Sequence, residues 1–213
     1  MSSAAAPLRI WLAAGAACAA AVLACMAWVD RPVAGYVEAH LRGTPLFDWT
    51  TRALGLLPPV LFVLLVGLVT AGVLALRGRP MPAWTRLPIL CAWSVALALS
   101  AVVALKRVFG RSWADLYTAR GVYEFHPLRG GYGYEAFPSG TTAVTCAILA
   151  VVWIRSPRLR KVSVLLLAVI GIALVITNSH WVSDVIAGCY LGAAIGAMTV
   201  RMLGGERPLY LAG

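Results

Sequence analysis

The chain has 213 residues, of which 61% are hydrophobic and only 12% charged, and its formal net charge is +10. Soluble domains average about 45–50% apolar and about 25% charged residues, so this composition excludes an ordinary soluble protein and predicts an integral membrane protein. The basic residues form no single patch or stripe, which argues against a nucleic-acid partner. No linker-rich stretch divides the sequence, so we predict one membrane domain over residues 1–213.

Six apolar runs alternate with polar segments along the chain. A membrane-spanning helix needs about 20 apolar residues. We therefore predict an all-α, six-helix transmembrane bundle with its core at about residues 54–203. The first run is interpreted as a retained helix and not as a cleaved signal peptide. The predicted helices are Ile10–Trp28, Leu54–Leu76, Leu87–Leu105, Thr141–Ile154, Val162–Thr177 and Val182–Leu203.

Basic residues in two short loops predict the orientation of this bundle. By the positive-inside rule these loops are cytoplasmic, which also puts both termini inside. The ends of the runs that carry Lys106, Ser139 and His180 then face outward. An arginine- and alanine-rich chain with short loops fits a bacterial inner membrane. The loop residues are Arg77, Arg79 and Arg86 in one loop, and Arg155, Arg158, Arg160 and Lys161 in the other.

The two segments predicted on the outer side span about residues 30–53 and 107–138. The first mixes aromatic and charged residues, which is typical of a stretch lying in the membrane interface. It either anchors the helix ends or guides a lipid substrate. The second is the longest polar segment, and long loops in compact proteins are often functional. Within it His126 precedes Pro127, which favours a turn. His126 is either an exposed loop residue or a functional group.

His180 and Asp184 are the most informative pair, because they stand one helical turn apart where the last apolar run begins. A carboxylate at the edge of hydrocarbon is costly unless it is paired. A carboxylate-oriented imidazole can act as a nucleophile, although a purely structural hydrogen bond remains an alternative. Only three histidines exist in the chain. No third ligand accompanies this pair, so we predict no metal and no cofactor.

Cationic and small residues at other helix ends point to phosphate. Lys106 closes the third run and Arg111 follows it. Cations at such a helix end either snorkel to the membrane interface or neutralise a phosphate. Ser139 and Gly140 begin the fourth run. A serine at that position caps a helix, and the free N–H groups of a helix start also bind anions.

In combination and order, these segments resemble the type 2 phosphatidic acid phosphatase (PAP2) superfamily, whose helical core is shared with vanadium haloperoxidases. The family pattern is Lys-x6-Arg-Pro, then Pro-Ser-Gly-His, then Ser-Arg-x5-His-x3-Asp. Here its parts correspond to residues 106–114, 138–141 and 173–184. The resemblance implies that His180 attacks the phosphorus and forms a phosphohistidine, and that Asp184 orients it. It also implies that Lys106, Ser139 and the Gly140 N–H hold the phosphate of a membrane lipid.

The sequence departs from the family pattern at several positions. Trp113 and Ala114 replace the first Arg-Pro, and Arg111 lies two residues earlier as a substitute. The third part has lost its serine and arginine, and Asn178 is the nearby polar donor. Thr141 stands where the family histidine protonates the leaving oxygen, a step worth about 10²–10⁴ in rate. The lost positions of the third part are Ala173 and Leu174.

Three outcomes are compatible with the missing acid. His126 supplies the proton, the substrate has a good leaving group, or the protein binds phosphorylated lipid without turnover. We predict a phosphatase or phosphotransferase acting on a polyprenyl diphosphate, a phospholipid or a lipid A-like glycolipid. The alternative is a catalytically impaired protein that binds or transports such a lipid. The candidate residues are His180, Asp184 and His126 for catalysis, and Lys106, Arg111, Ser139, Gly140, Thr141 and Asn178 for phosphate binding.

Overall fold

The computed structural model describes residues 5–58, 62, 65–67, 70, 85–128 and 131–203. Within these ranges the chain is helical and contains no strand; Arg111 and Phe125 form an isolated antiparallel bridge. A short 3-10 turn spans Pro157–Leu159. The helices are α1 (Ala5–Trp28), α2 (Asp30–His40), α3 (Pro45–Gly55), α4 (Arg86–Phe109), α5 (Ala114–Arg120), α6 (Gly140–Arg155), α7 (Arg160–Ile176) and α8 (Val182–Leu203).

The all-α prediction is confirmed for the described residues. Among the described residues, four segments are long and apolar enough to cross a membrane: Arg9–Trp28, Arg86–Phe109, Pro157–Ile176 and Val182–Leu203. α6 is also apolar but has only 16 residues. The predicted helix Leu54–Leu76 falls largely outside the described residues, so the count of six spans stays a prediction.

Both predicted outer segments contain helix. The stretch at about residues 30–53 forms α2 and α3. The Thr44 side chain caps the start of α3 by accepting a hydrogen bond from the Phe47 N–H. The stretch at 107–138 includes the last turn of α4 and the short α5. Gly110 ends α4 in the left-handed conformation, with φ 54°, which favours glycine at this C-cap.

α6 and α8 approach each other along a glycine seam formed by Gly188, Gly192 and Gly196. A Cβ atom at Gly192 would lie 2.2 Å from the Ala143 carbonyl oxygen, so no larger residue fits without moving the helices. Small residues spaced by four let membrane helices pack this closely. α6 also packs against α4 in an apolar cluster to which α8 contributes one residue: Val95, Ala98, Val144, Ala147 and Ile195.

This packing brings several helix ends together at one end of the bundle. The Ser139 N–H, just before α6, donates to the Asp184 carbonyl oxygen in the first turn of α8 at 3.1 Å. α1 lies against α8, where Tyr190 donates its hydroxyl to the Trp11 carbonyl oxygen at 2.9 Å. The end of α1 reaches the same region as the start of α8, since the Tyr123 hydroxyl donates to the Met26 carbonyl oxygen at 3.1 Å and the Ser183 N–H donates to Asp30 at 3.0 Å.

Candidate functional site

A cavity of about 470 Å³ opens where α4, α6 and the segment before α8 meet. Its polar wall consists of Lys106, Glu135, Gly140, Thr141 and His180. Lys106 lies at the end of α4, so the polar wall is at one end of the cavity. The remaining wall is apolar and is formed by Leu57, Pro58, Phe62, Leu65, Val95, Leu99, Val102, Val103 and Val144. A cavity of this shape suits a molecule with an anionic head and an apolar tail.

The Lys106 ammonium lies against the start of α6. A Cβ atom placed on Gly140 would be 3.8 Å from Lys106 Cε and 4.0 Å from its Nζ. The ammonium also interacts electrostatically with the carboxylates of Glu135 and Asp184. The first N–H groups of a helix have no partner within the helix and favour negative charge. Lys106 and the start of α6 therefore create a positive end of the cavity.

His180 and Asp184 form the predicted pair, with 3.4 Å between His180 Nδ1 and Asp184 Oδ2. This distance is long for a hydrogen bond, but His180 Nδ1 faces the Asp184 carboxylate. His180 Nε2 makes no hydrogen bond to any residue that the structure describes. The His180 side chain is 12% exposed and that of Asp184 is fully buried. One imidazole nitrogen is thus oriented by a carboxylate, which leaves the other available for chemistry.

The Asp184 carboxylate has further partners that fix its position. Its Oδ1 accepts from Arg111 Nη1 at 2.6 Å, and its Oδ2 accepts from the Trp181 N–H at 3.1 Å. The Trp181 ring is buried and donates its Nε1–H to the Ser112 carbonyl oxygen. The loop before α5 and the start of α8 are therefore joined directly at this carboxylate.

Arg111 occupies a different place from the one expected for a phosphate ligand. Its guanidinium is 1% exposed and bridges two buried carboxylates, Asp184 through Nη1 and Asp30 through Nη2 at 2.7 Å. The same two nitrogens donate to Ser183 Oγ at 2.6 Å and to the Tyr123 hydroxyl at 2.9 Å. Burial by itself lowers the pKa of Arg111, but Asp184 and Asp30 outweigh it and raise that pKa above its usual value. Arg111 remains a cation and supports Asp184.

Asp30 was not among the residues singled out from the sequence. It lies at the start of α2, is 1% exposed, and accepts from the Ser183 N–H at 3.0 Å and from the Ser183 hydroxyl. A sequence signal existed, since Asp30 directly follows an apolar run just as Asp184 opens one. A carboxylate at the edge of hydrocarbon needs a partner in either position.

Three other predicted site residues have their side chains engaged outside the cavity. Ser139 caps α6 by accepting from the Thr142 N–H at 3.4 Å. Asn178 donates to the Ala34 carbonyl oxygen at 3.2 Å and so attaches α2 to the segment before α8. His126 pairs with Glu124 at 2.7 Å. None of the three is among the described residues that line the cavity, whereas Gly140 and Thr141 do line it.

Two further features define the chemistry available at the site. Glu135 was also missed by the sequence interpretation, and it is the acidic residue among the described lining of the cavity. The described residues contain no group of three or more histidine, cysteine, aspartate or glutamate side chains that could hold a metal ion. The site instead combines one oriented imidazole, one ammonium, one carboxyl group and the start of a helix.

The chain is similar to two curated proteins named lipid A 1-phosphatase. The protein from Rhizobium johnstonii is 34% identical over 95 residues, which are 45% of this chain and 39% of that protein. The protein from Rhizobium etli is 33% identical over 95 residues, which are 45% of this chain and 41% of that protein. The chain thus matches about two fifths of the length of these relatives.

A solved structure and a family model complete the comparison. The fold is similar to that of a transmembrane PAP2 type phosphatidylglycerolphosphate phosphatase from Bacillus subtilis, with a TM-score of 0.51 and 16% identity. That match covers 92% of this chain and 98% of the other, and it supports the fold alone. The model of the PAP2 superfamily matches residues 87–208, which hold the polar wall of the cavity together with Arg111 and Asp184. That segment is more than half of the sequence, and the chain belongs to the PAP2 superfamily.

Proposed function

We propose that this protein is a membrane phosphatase that removes phosphate from a lipid phosphate or diphosphate through a phosphohistidine on His180. The main support for the proposal is the cavity, which has His180 and Lys106 at its polar end and a long apolar wall beyond them. Lys106 and the start of α6 would receive the phosphate, and the lipid tail would lie along α4. The family membership supports the same chemistry.

The proposed reaction has two steps. In the first, His180 Nε2 attacks the phosphorus, the bond from phosphorus to the leaving oxygen breaks, and the leaving oxygen takes up a proton. In the second, water attacks the phosphohistidine, which releases inorganic phosphate and free imidazole. Asp184 stabilises the positive charge that develops on the ring, because its Oδ2 lies 3.4 Å from Nδ1. Lys106 stabilises the negative charge on the phosphoryl oxygens.

In this proposal Arg111 and Asp30 are positioning residues. Their contacts fix Asp184, which in turn orients His180, and neither contacts the substrate. The buried ion pairs of 2.6 Å and 2.7 Å support this role in place of the phosphate-binding role expected for Arg111. Ser139 and Asn178 likewise hold the backbone around the cavity.

The substrate classes that we propose are a lipid A-like glycolipid, a phospholipid or a polyprenyl diphosphate. The names of the Rhizobium relatives favour the first class. A diphosphate expels a phosphate monoester, which leaves more easily than an alkoxide. That chemistry favours the third class, because Thr141 offers no acid. Whether water or another acceptor takes the phosphoryl group depends on what enters the cavity.

We also propose a bacterial inner-membrane location with the cavity facing the periplasm and both termini in the cytoplasm. The cavity lies at the end of the bundle where α4 ends and α6 begins. The basic residues Arg155, Arg158, Arg160 and Lys161 lie at the other end of α6, where the positive-inside rule predicts the cytoplasm.

Phosphate release by the purified, reconstituted protein tests this function. The panel is phosphatidic acid, phosphatidylglycerol phosphate, lipid A and undecaprenyl diphosphate. We expect His180→Asn to abolish release and to prevent labelling by a ³²P-labelled substrate at an acid-labile site. His40→Asn is the matched control, because His40 is exposed at the end of α2 and contacts Tyr36.

Two results would contradict the proposal. Turnover that survives His180→Asn would exclude His180 as the nucleophile. Saturable binding of a lipid phosphate without turnover by the wild type would favour a catalytically impaired protein that binds or transports the lipid. Equal turnover by the wild type and by His40→Asn is expected under the proposal.

A further inference from the structure

Among the described residues that line the cavity, Glu135 carries a carboxyl group that the two steps above do not use. Glu135 lines the cavity together with Lys106, Thr141 and His180, and its side chain is half-buried. The backbone on its C-terminal side is fixed, since the buried Ala136 donates its N–H to the Arg111 carbonyl oxygen at 3.0 Å. Glu135 is therefore presented to the cavity by an anchored segment.

The proposed reaction has a chemical gap at this place. When His180 attacks a phosphate monoester, the alkoxide leaves poorly unless it receives a proton in the transition state. Thr141 cannot donate one near neutral pH. The Lys106 ammonium is needed as a cation for the phosphate, and His180 is the nucleophile. Among the described residues of the polar wall, Glu135 is left as the proton carrier.

His126, the substitute acid expected from the sequence, is engaged elsewhere. It pairs with Glu124 at 2.7 Å and its ring packs against Tyr134 with ring centres 4.7 Å apart. Its backbone is also fixed, because the His126 N–H donates to the Gly110 carbonyl oxygen at 2.8 Å. Moving the imidazole into the cavity would break the first two of these contacts.

We infer that Glu135 is the general acid and base of this site, an inference that rests on the proposed phosphatase function. As the bond from His180 Nε2 to phosphorus forms and the bond from phosphorus to the leaving oxygen breaks, the Glu135 carboxyl gives its proton to that oxygen. The resulting carboxylate then accepts a proton from the water that attacks the phosphohistidine. Free imidazole, inorganic phosphate and the protonated carboxyl group are restored, so atoms and charge balance over the cycle.

Electrostatics in the loaded cavity favours this assignment. A lipid phosphate held by Lys106 lies beside Glu135, and two anionic oxygen groups at close range repel each other unless they share a proton. In this proposal the carboxyl of Glu135 and the phosphate share one proton, and the leaving oxygen receives that proton in the first step. A role as a simple counter-ion of Lys106 would use only the charge of Glu135 and not its proton.

Dependence on the leaving group separates the two roles. The variant is Glu135→Gln, which keeps the shape but cannot donate a proton in this way. The probes are phosphatidic acid, whose alkoxide needs protonation, and farnesyl diphosphate, whose leaving phosphate monoester does not. We expect kcat on phosphatidic acid to fall by about 10²–10⁴, the usual contribution of a positioned acid. On farnesyl diphosphate we expect a fall of less than about tenfold, which also reports that the variant is folded.

A matched control and a rescue make the test specific. Glu124→Gln removes a carboxylate from the same 107–138 segment. The Glu124 side chain is 54% exposed and pairs with His126, so this variant should leave both rates unchanged. The double variant Glu135→Gln with Thr141→His places an imidazole on the wall of the same cavity. It should recover phosphatidic acid hydrolysis at least tenfold over the single variant.

The possible failures are distinguishable. Equal losses on both probes would make Glu135 a counter-ion and overturn the inference, as would an undiminished rate on phosphatidic acid. A leaving-group-dependent loss in His126→Ala, with none in Glu135→Gln, would assign the acid to His126. In each of these cases His180→Asn still abolishes release. If His180→Asn remains active, the phosphatase mechanism itself is wrong.

Discussion

Replacing Asp30 by asparagine tests whether a buried charge network connects the start of α2 to the site. Asp30 is 1% exposed, and its carboxylate accepts from Arg111 Nη2 and from the backbone and hydroxyl of Ser183. Asp30→Asn removes the negative charge and turns a buried ion pair into a cation facing a neutral amide. Removing one partner of a buried ion pair costs about 3–5 kcal/mol. For a protein of this length, 1 kcal/mol shifts Tm by about 2–4 °C, which predicts a loss of about 6–20 °C.

Thermal unfolding of the purified protein in detergent measures this effect. Arg42→Gln is the control, because it breaks an ion pair with Glu38 whose side chains are 51% and 31% exposed. Exposed pairs contribute about 0–1 kcal/mol. We expect the Asp30→Asn shift to be several times that of the control. A shift no larger than that of Arg42→Gln would refute the assignment of Asp30 to a buried charge network.

Three further variants test other parts of the site, and a chelator tests its chemistry. Arg111→Lys should lower the free energy of unfolding by about 1.5–3 kcal/mol in the same assay, because a single ammonium group cannot bridge two carboxylates as the planar guanidinium does. An unchanged Tm would contradict this. Gly192→Ala should cost about 1–3 kcal/mol by overpacking, since its Cβ would lie 2.2 Å from a backbone oxygen of α6. Gly35→Ala, with nothing within 4 Å, should be neutral or slightly stabilising. Lys106→Met should reduce kcat/KM about 10–100-fold, as expected for the loss of a charge-assisted bond of about 1.5–3 kcal/mol, while Lys161→Met leaves it unchanged. EDTA should leave phosphate release unchanged, and inhibition reversed by a divalent metal would contradict a metal-independent site.

The proximity of some candidate site residues could be predicted from local patterns in the sequence. The spacing of His180 and Asp184 fixes them on one face of a helix turn, whatever the rest of the chain does. Lys106 and Gly140 were placed near them because successive apolar runs cross the membrane in opposite directions, which brings alternate helix ends to one face. Local periodicity and the membrane constraint were sufficient for these residues.

The sequence interpretation was less successful where a partner lies far along the chain. The role of Arg111 depends on Asp30 and Asp184, which are 81 and 73 residues away, and no local pattern identifies a buried partner at that distance. Without that information the sequence favoured a phosphate-binding role for Arg111. Asn178 and its partner Ala34 are separated in the same way, by 144 residues.

The secondary structure of the 30–53 segment illustrates a different limit. Its mixture of apolar and charged residues predicted an interfacial stretch, but not that α2 would bury Asp30, Ala34 and Val37 against the bundle. Only three of its 11 residues are buried, so the amino-acid composition of α2 gives little indication that one face packs against the bundle. Helices of this length obtain most of their stability from tertiary packing.

The bridge from Arg111 to Asp30 has a consequence for dissecting the protein. The superfamily segment begins at residue 87, yet one of the two carboxylates that neutralise Arg111 lies 57 positions before it. A fragment limited to that segment would retain every residue of the polar wall. Its Arg111 guanidinium would keep Asp184 as an anionic partner but would lose Asp30. The segment shared with the superfamily and the segment that neutralises its buried arginine therefore have different boundaries in this chain.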